Sequence, residues 1–84
     1  MKVQAEVSLY PLRQNDLTKP IQQFVKVMES NSLKVKTGAM SSLIAGDSQA
    51  VFKNLQKAFE QLAQEYEVVM SVKISNACPD TEKE

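Results

Sequence analysis

The chain has 84 residues, 43% of them hydrophobic and 24% charged, which suits one small core and is too apolar for a disordered or fibrous segment. Ten Lys and Arg balance ten Asp and Glu along the chain, so no basic stripe is present for nucleic acid or an acidic membrane surface. Histidine is absent, which excludes Ser-His-Asp and Cys-His nucleophile activation and imidazole metal ligands together.

Val3, Ala5, Val7 and Leu9 alternate with Gln4, Glu6 and Ser8, the period of a half-buried strand. Tyr10 continues the polar parity and Pro11 is expected to break the ladder. Leu17, Ile21, Phe24, Val25 and Met28 then fall on one helical face, with Thr18 as the expected cap, Pro20 in the first turn and an end near Glu29 to Ser32. Leu33, Val35 and Thr37 alternate against Lys34 and Lys36 as a second strand, Gly38 marks a turn or a bulge beside it, and a third strand is expected from Met40 through Ile44.

Asp47 is placed to cap a second helix, whose apolar stripe is Val51, Leu55, Ala58, Phe59, Leu62, Ala63 and Tyr66. Val68, Met70, Val72 and Ile74 alternate with Val69, Ser71, Lys73 and Ser75 as a fourth strand. The order strand, helix, strand, strand, helix, strand is a split βαβ unit repeated twice. Right-handed crossovers fold it into an α+β, ferredoxin-like sandwich: a four-stranded antiparallel sheet with two helices on one face. One domain is expected over residues 1–76, with a polar tail over residues 77–84.

That tail carries the single cysteine, Cys78, so there is no internal disulfide and no CxxC pair, which fits a reducing compartment. The N-terminal residues alternate rather than forming the apolar run of a signal peptide, and no stretch approaches membrane-spanning length, so the expected location is the cytoplasm.

With both helices on one face, Glu6, Ser8 and Tyr10 share the other face with Ser71, Lys73 and Ser75. A Glu6–Lys73 ion pair across neighbouring strands is the plainest use of that surface. Catalytic chemistry finds little support. Glu60, Glu65 and Glu67 sit among Lys and Gln as a solvated helix face does. The run from Gly38 to Gly46 has neither GxGxxG nor a GK[ST] ending, and an aspartate at the following helix start repels phosphate. Arg13, the only arginine, lies in a loop without the glycines of an anion cradle, and the strands lack the aromatic platform that stacks RNA bases.

Three segments, AEVSLYPL (Ala5 to Leu12), TGAMSSLIAGD (Thr37 to Asp47) and VKIS (Val72 to Ser75), resemble the YkoF-like thiamine-binding family, in the right order and over nearly the whole chain. The resemblance implies a ferredoxin-like subunit that assembles through its sheets into dimers or tetramers. It also implies binding of thiamine or its hydroxymethylpyrimidine moiety without catalysis, cofactor or metal. Carried over by position, it offers Glu6, Ser8, Tyr10, Thr37, Met40, Ser41, Ser42 and Ser75 as ligand-binding residues. An aminopyrimidine suits this set, because a carboxylate takes the exocyclic amine, hydroxyls serve either hydrogen-bonding role, and Met40 and Tyr10 grip a flat ring. Lys73 opposes a thiazolium cation unless Glu6 neutralises it, which makes it structural.

The expected function is therefore non-enzymatic binding of thiamine or a related pyrimidine at the polar sheet face near a subunit interface, in a homo-oligomer with no nucleic acid or membrane partner. The alternative is a structural or regulatory oligomerisation module of the same fold without that ligand. An enzyme acting on a thiamine precursor has only Glu6 and Lys73 as an acid–base pair. Strand parity allows Met40 and Ser42, or Ser41, on the open face, but not all three without a bulge.

Overall fold

The computed structural model describes residues 1–38 and 40–77; the expected tail from Cys78 onward, and Ala39, lie outside the described residues. The elements are β1 (Lys2–Pro11), α1 (Thr18–Ser30), β2 (Lys34–Thr37), β3 (Ser42–Asp47), α2 (Ser48–Ala63) and β4 (Val68–Ser75). The strands form one antiparallel sheet in the order β2-β3-β1-β4, which with the two helices is the expected ferredoxin-like sandwich.

Strand parity sets the two faces. Val7 pairs with Ser42 and Val72, and Ser42 with Thr37, so these four share the row that faces the helices. Glu6 pairs with Leu43 and Lys73, and Leu43 with Lys36, giving a row on the open face, followed by Lys34, Ala45, Gln4 and Ser75. Ala5, Val7 and Ile44 bury under Phe24 and Met28 of α1 and Val51, Leu55, Ala58 and Leu62 of α2, with Leu33 closing the end of the layer. Asn54 is the polar member of the buried α2 face. Its side chain donates to the Ala50 carbonyl at 2.8 Å, which removes the cost of an unpaired amide there.

Three local expectations change. Pro11 does not break the ladder but closes it, opposite Val68. The Leu12 N–H donates to the Glu67 carbonyl at 2.7 Å, so by antiparallel alternation the Pro11 nitrogen faces away from β4, on the side where β3 has already ended. Thr18 is the first helical residue rather than the cap. Its N–H donates to the Asp16 carboxylate at 2.9 Å, and that bond lowers the Asp16 pKa. Third, β3 begins at Ser42, not Met40, and α2 ends at Ala63, so Tyr66 packs on the core from beyond the helix.

Asp47 caps α2 as expected, accepting from the Gln49 N–H at 3.2 Å. The hydrogen bond from the Met1 ammonium, then that from Gln49, holds its carboxyl below the usual value. A depressed carboxylate pKa favours the fold above the ordinary value of 3.8, and this support is lost as pH falls through the lowered folded value.

The end of α1 carries strain. Leu33 N–H bonds to Met28 O and Ser32 N–H to Glu29 O, a Schellman ending that places Ser32 in the left-handed region at φ 65°. Glycine adopts that conformation without the Cβ clash, so Ser32→Gly is expected to stabilise the fold by about 1 kcal/mol. A thermal melt followed by circular dichroism checks this, as a rise in midpoint.

Candidate ligand-binding site

A mismatch in strand length creates a pocket. β1 runs ten residues, but its pairing with β3 ends at Val7–Ser42, so from Leu9 onward β1 has a neighbour only in β4. The alternation that joins Val7 to Ser42 points the Leu9 N–H and C=O to the same bare side. Across the gap stand the start of α1 and the β2–β3 turn, which the Gly38 N–H closes by donating to the Ser41 carbonyl at 2.8 Å. A Cβ on Gly38 would lie 3.1 Å from that carbonyl oxygen, a tight contact that the turn would have to relax by a few tenths of an ångström to accept, although the Gly38 φ is not in the left-handed region.

The resulting cavity is about 250 Å³. Val7 and Leu9 form its floor, Leu17 and Ile21 its helical wall, and Thr37, Gly38, Met40, Ser41 and Ser42 the opposite wall, with Tyr10 at the border. Its rim is apolar and exposed: Met40 at 83%, Tyr10 at 50% and Leu17 at 41%. Thr37, Ser41, Ser42 and Tyr10 bring hydroxyl-bearing side chains to a lining that is otherwise mostly aliphatic, beside the Leu9 backbone edge. Below the ~300–1,000 Å³ typical of pockets for drug-sized ligands, the cavity suits one aromatic ring rather than two.

Ser41 connects this pocket to the open face. Its hydroxyl donates to the Glu6 carboxylate at 3.0 Å, which leaves its lone pairs as acceptors for a donor in the pocket. Glu6 and Lys73 are register partners, as the strand plan required, but they make no ion pair. Arg13 is held by Glu67 on the far side of the β1 end. Among the described residues no group of three or more Cys, Asp or Glu is placed to hold a metal ion.

Of the eight residues proposed from sequence, Tyr10, Thr37, Met40, Ser41 and Ser42 line this pocket, and Glu6 reaches it through Ser41. Ser8 and Ser75 face the open side of the sheet. Ser75 pairs with Gln4, six residues and roughly 20 Å along β1 from Tyr10, and its hydroxyl accepts the Ala77 N–H at 2.9 Å, so it serves a turn. The set is thus not one polar cluster on the open face. Thr37 and Ser42 have the helix-side parity, and Ser41, between the strands, donates to Glu6. Leu9, Leu17 and Ile21 also line the pocket, although their spacing is that of core residues.

A second depression of about 250 Å³ lies on the open face over Gln4, Leu43 and Ala45, between Lys34 and Lys36. Two ammonium groups make it a poor seat for a cationic ligand.

A model of the YKOF-related family matches residues 2–81. The chain belongs to that family. It is 33% identical over 75 residues to a UPF0045 protein of Methanocaldococcus jannaschii, an alignment that covers 87% of this chain and 75% of that protein. The crystal structure of that relative superposes with a TM-score of 0.83 at 31% identity, over 93% of this chain and 82% of the other. A Thermotoga maritima protein provisionally assigned to thiamine biosynthesis/salvage superposes with a TM-score of 0.80 at 16% identity, over 89% and 83% of the two chains. A designed ferredoxin fold superposes at 0.70 and 10% identity, over 96% and 90%. The last two likenesses establish fold alone. Within the described residues of this YKOF-related protein, no helix is long and apolar enough to cross a membrane.

Proposed function

We propose that this protein binds the aminopyrimidine ring of thiamine, or hydroxymethylpyrimidine itself, without catalysing a reaction, in the pocket where β1 outruns β3. The observation that carries the reading is the pairing of an aliphatic slot with a bare strand edge and a carboxylate-backed hydroxyl. An aminopyrimidine presents a donor amine beside an acceptor ring nitrogen, the pattern that a peptide C=O and N–H recognise in a neighbouring strand. The Leu9 edge offers that pair, and Ser41 accepts a further amine proton because its own proton is engaged by Glu6.

Met40, Leu17 and Ile21 flank the ring, where apolar and sulfur contacts favour a flat aromatic face. A cavity for one ring leaves a thiazolium outside, near Tyr10 and within reach of the Glu6 field rather than that of Lys36. The provisional thiamine assignment of the Thermotoga maritima protein supports the same ligand class.

Calorimetric titration with thiamine and with hydroxymethylpyrimidine tests the proposal. Saturable heat with both is expected, because the pyrimidine is the part held. Absence of heat with either, on folded protein, overturns it and favours an oligomerisation module without this ligand.

A further inference from the structure

The chain has four methionines, and the fold treats them unequally. Met28 is fully buried in the core, and Met70 packs against that core from β4. Met1 is 74% exposed, but its ammonium is bound to Asp47, at the far end of β1 and roughly 25 Å along the strand from Leu9. Met40 is 83% exposed and lines the pocket, so it is the thioether that is both open to solvent and placed to meet a ligand.

Oxidation of a thioether needs only access to the sulfur. A peroxide transfers one oxygen atom: the sulfur lone pair forms an S–O bond, the O–O bond breaks, and water leaves. The sulfur is thereby oxidised by two electrons and the peroxide reduced. Neither a depressed pKa nor a neighbouring base is required, in contrast to a reactive thiol. The product is a polar sulfoxide on a side chain that was apolar.

We infer that Met40 is an oxidation site through which a peroxide turns down ligand binding in this pocket, an inference that rests on the pyrimidine reading above. Met40, Tyr10 and Leu17 form the rim, and the Met40 sulfide closes over a flat ring with an apolar, polarizable surface. A sulfoxide in the same place has to bury its oxygen against that rim. The Ser41 proton is committed to Glu6 and is not offered to it. The oxidised side chain therefore stays in water, and the ring loses the sulfur contact, a weakening of about tenfold. Coupling runs both ways, so a bound ring that draws Met40 down shields its sulfur from the peroxide. A dithiol-dependent methionine sulfoxide reductase restores the sulfide, which makes the change reversible.

The test treats the native protein, with Cys78 first blocked by alkylation, with hydrogen peroxide and reads each methionine by peptide mass mapping. Met1 and Met40 are expected to oxidise first, Met70 more slowly and Met28 last. Saturating hydroxymethylpyrimidine is expected to slow Met40 severalfold and to leave Met1 unchanged, so Met1 serves as the reference within each molecule. Calorimetry on the oxidised protein is expected to give about tenfold weaker binding. Met40→Leu is expected to bind alike before and after peroxide, and Met40→Gln to bind as weakly as the sulfoxide. Oxidised native protein that binds undiminished, a Met40→Leu protein that still loses affinity to peroxide, or a Met40 rate indifferent to the ligand each overturns the inference and leaves the pyrimidine reading intact. Native protein that binds no hydroxymethylpyrimidine overturns both.

Discussion

Replacing Ser41 with alanine is expected to weaken binding of thiamine and of hydroxymethylpyrimidine by roughly tenfold to a hundredfold, the range for a hydrogen bond assisted by a charge. The cause is specific. The Ser41 hydroxyl donates to Glu6 at 3.0 Å, so its remaining valence toward the pocket is that of an acceptor sharpened by a carboxylate. Alanine deletes the acceptor while leaving the Gly38 to Ser41 backbone bond that shapes the turn, so the fold is expected to persist. Glu6→Ala is expected to weaken binding in the same direction, and the double variant to lose little more than Ser41→Ala alone, because Glu6 acts through Ser41. Fully additive losses, measured by calorimetry, would show that Glu6 meets the ligand by a separate route.

Phe24→Ala carries the largest expected cost to stability. Phe24 is 1% exposed and lies in the one core formed by both helices and the sheet, so its loss removes apolar contact and leaves a cavity that a short chain fills poorly. The cost is about 3–5 kcal/mol. Domains of this size hold roughly 4–13 kcal/mol in all, so at least about a fifth of the stability goes and a fall in thermal midpoint of about 15 °C or more is expected. Circular dichroism melts check it. A loss of under 1 kcal/mol would mean that the helices are not held to the sheet through this side chain.

The strand alternation of residues 3–9 and 68–75 and the Asp47 cap were available from spacing alone, because period two and a capping aspartate are local signals. From these, the cross-strand placement of Glu6 and Lys73 followed, and the structure has it. Phase across a turn is a different matter. Four residues pass between Thr37 and Ser42, and their number, not their hydrophobicity, decides whether Ser41 or Ser42 faces the helices. Strand parity left Met40 and Ser42, or Ser41, as alternatives for the open face, and the structure has Ser41 against Glu6 with Ser42 on the helix side.

The pocket itself depends on β1 outlasting β3. That difference is hidden in a sequence where Pro11 reads as a terminator, although its missing N–H simply falls on the side without a neighbour. Leu9, Leu17 and Ile21 have core spacing whether they bury against protein or line a cavity, so periodicity does not separate the two uses.

The placement of the ligand is tested most directly by mapping amide chemical-shift changes in a titration with hydroxymethylpyrimidine. Saturable shifts at Leu9, Ile21, Thr37, Gly38, Ser41 and Ser42 are expected, the Leu9 amide moving most because its N–H meets the ring. Shifts confined to Lys36, Lys73 and Ser75 on the open face, or no shifts at all, would contradict the account.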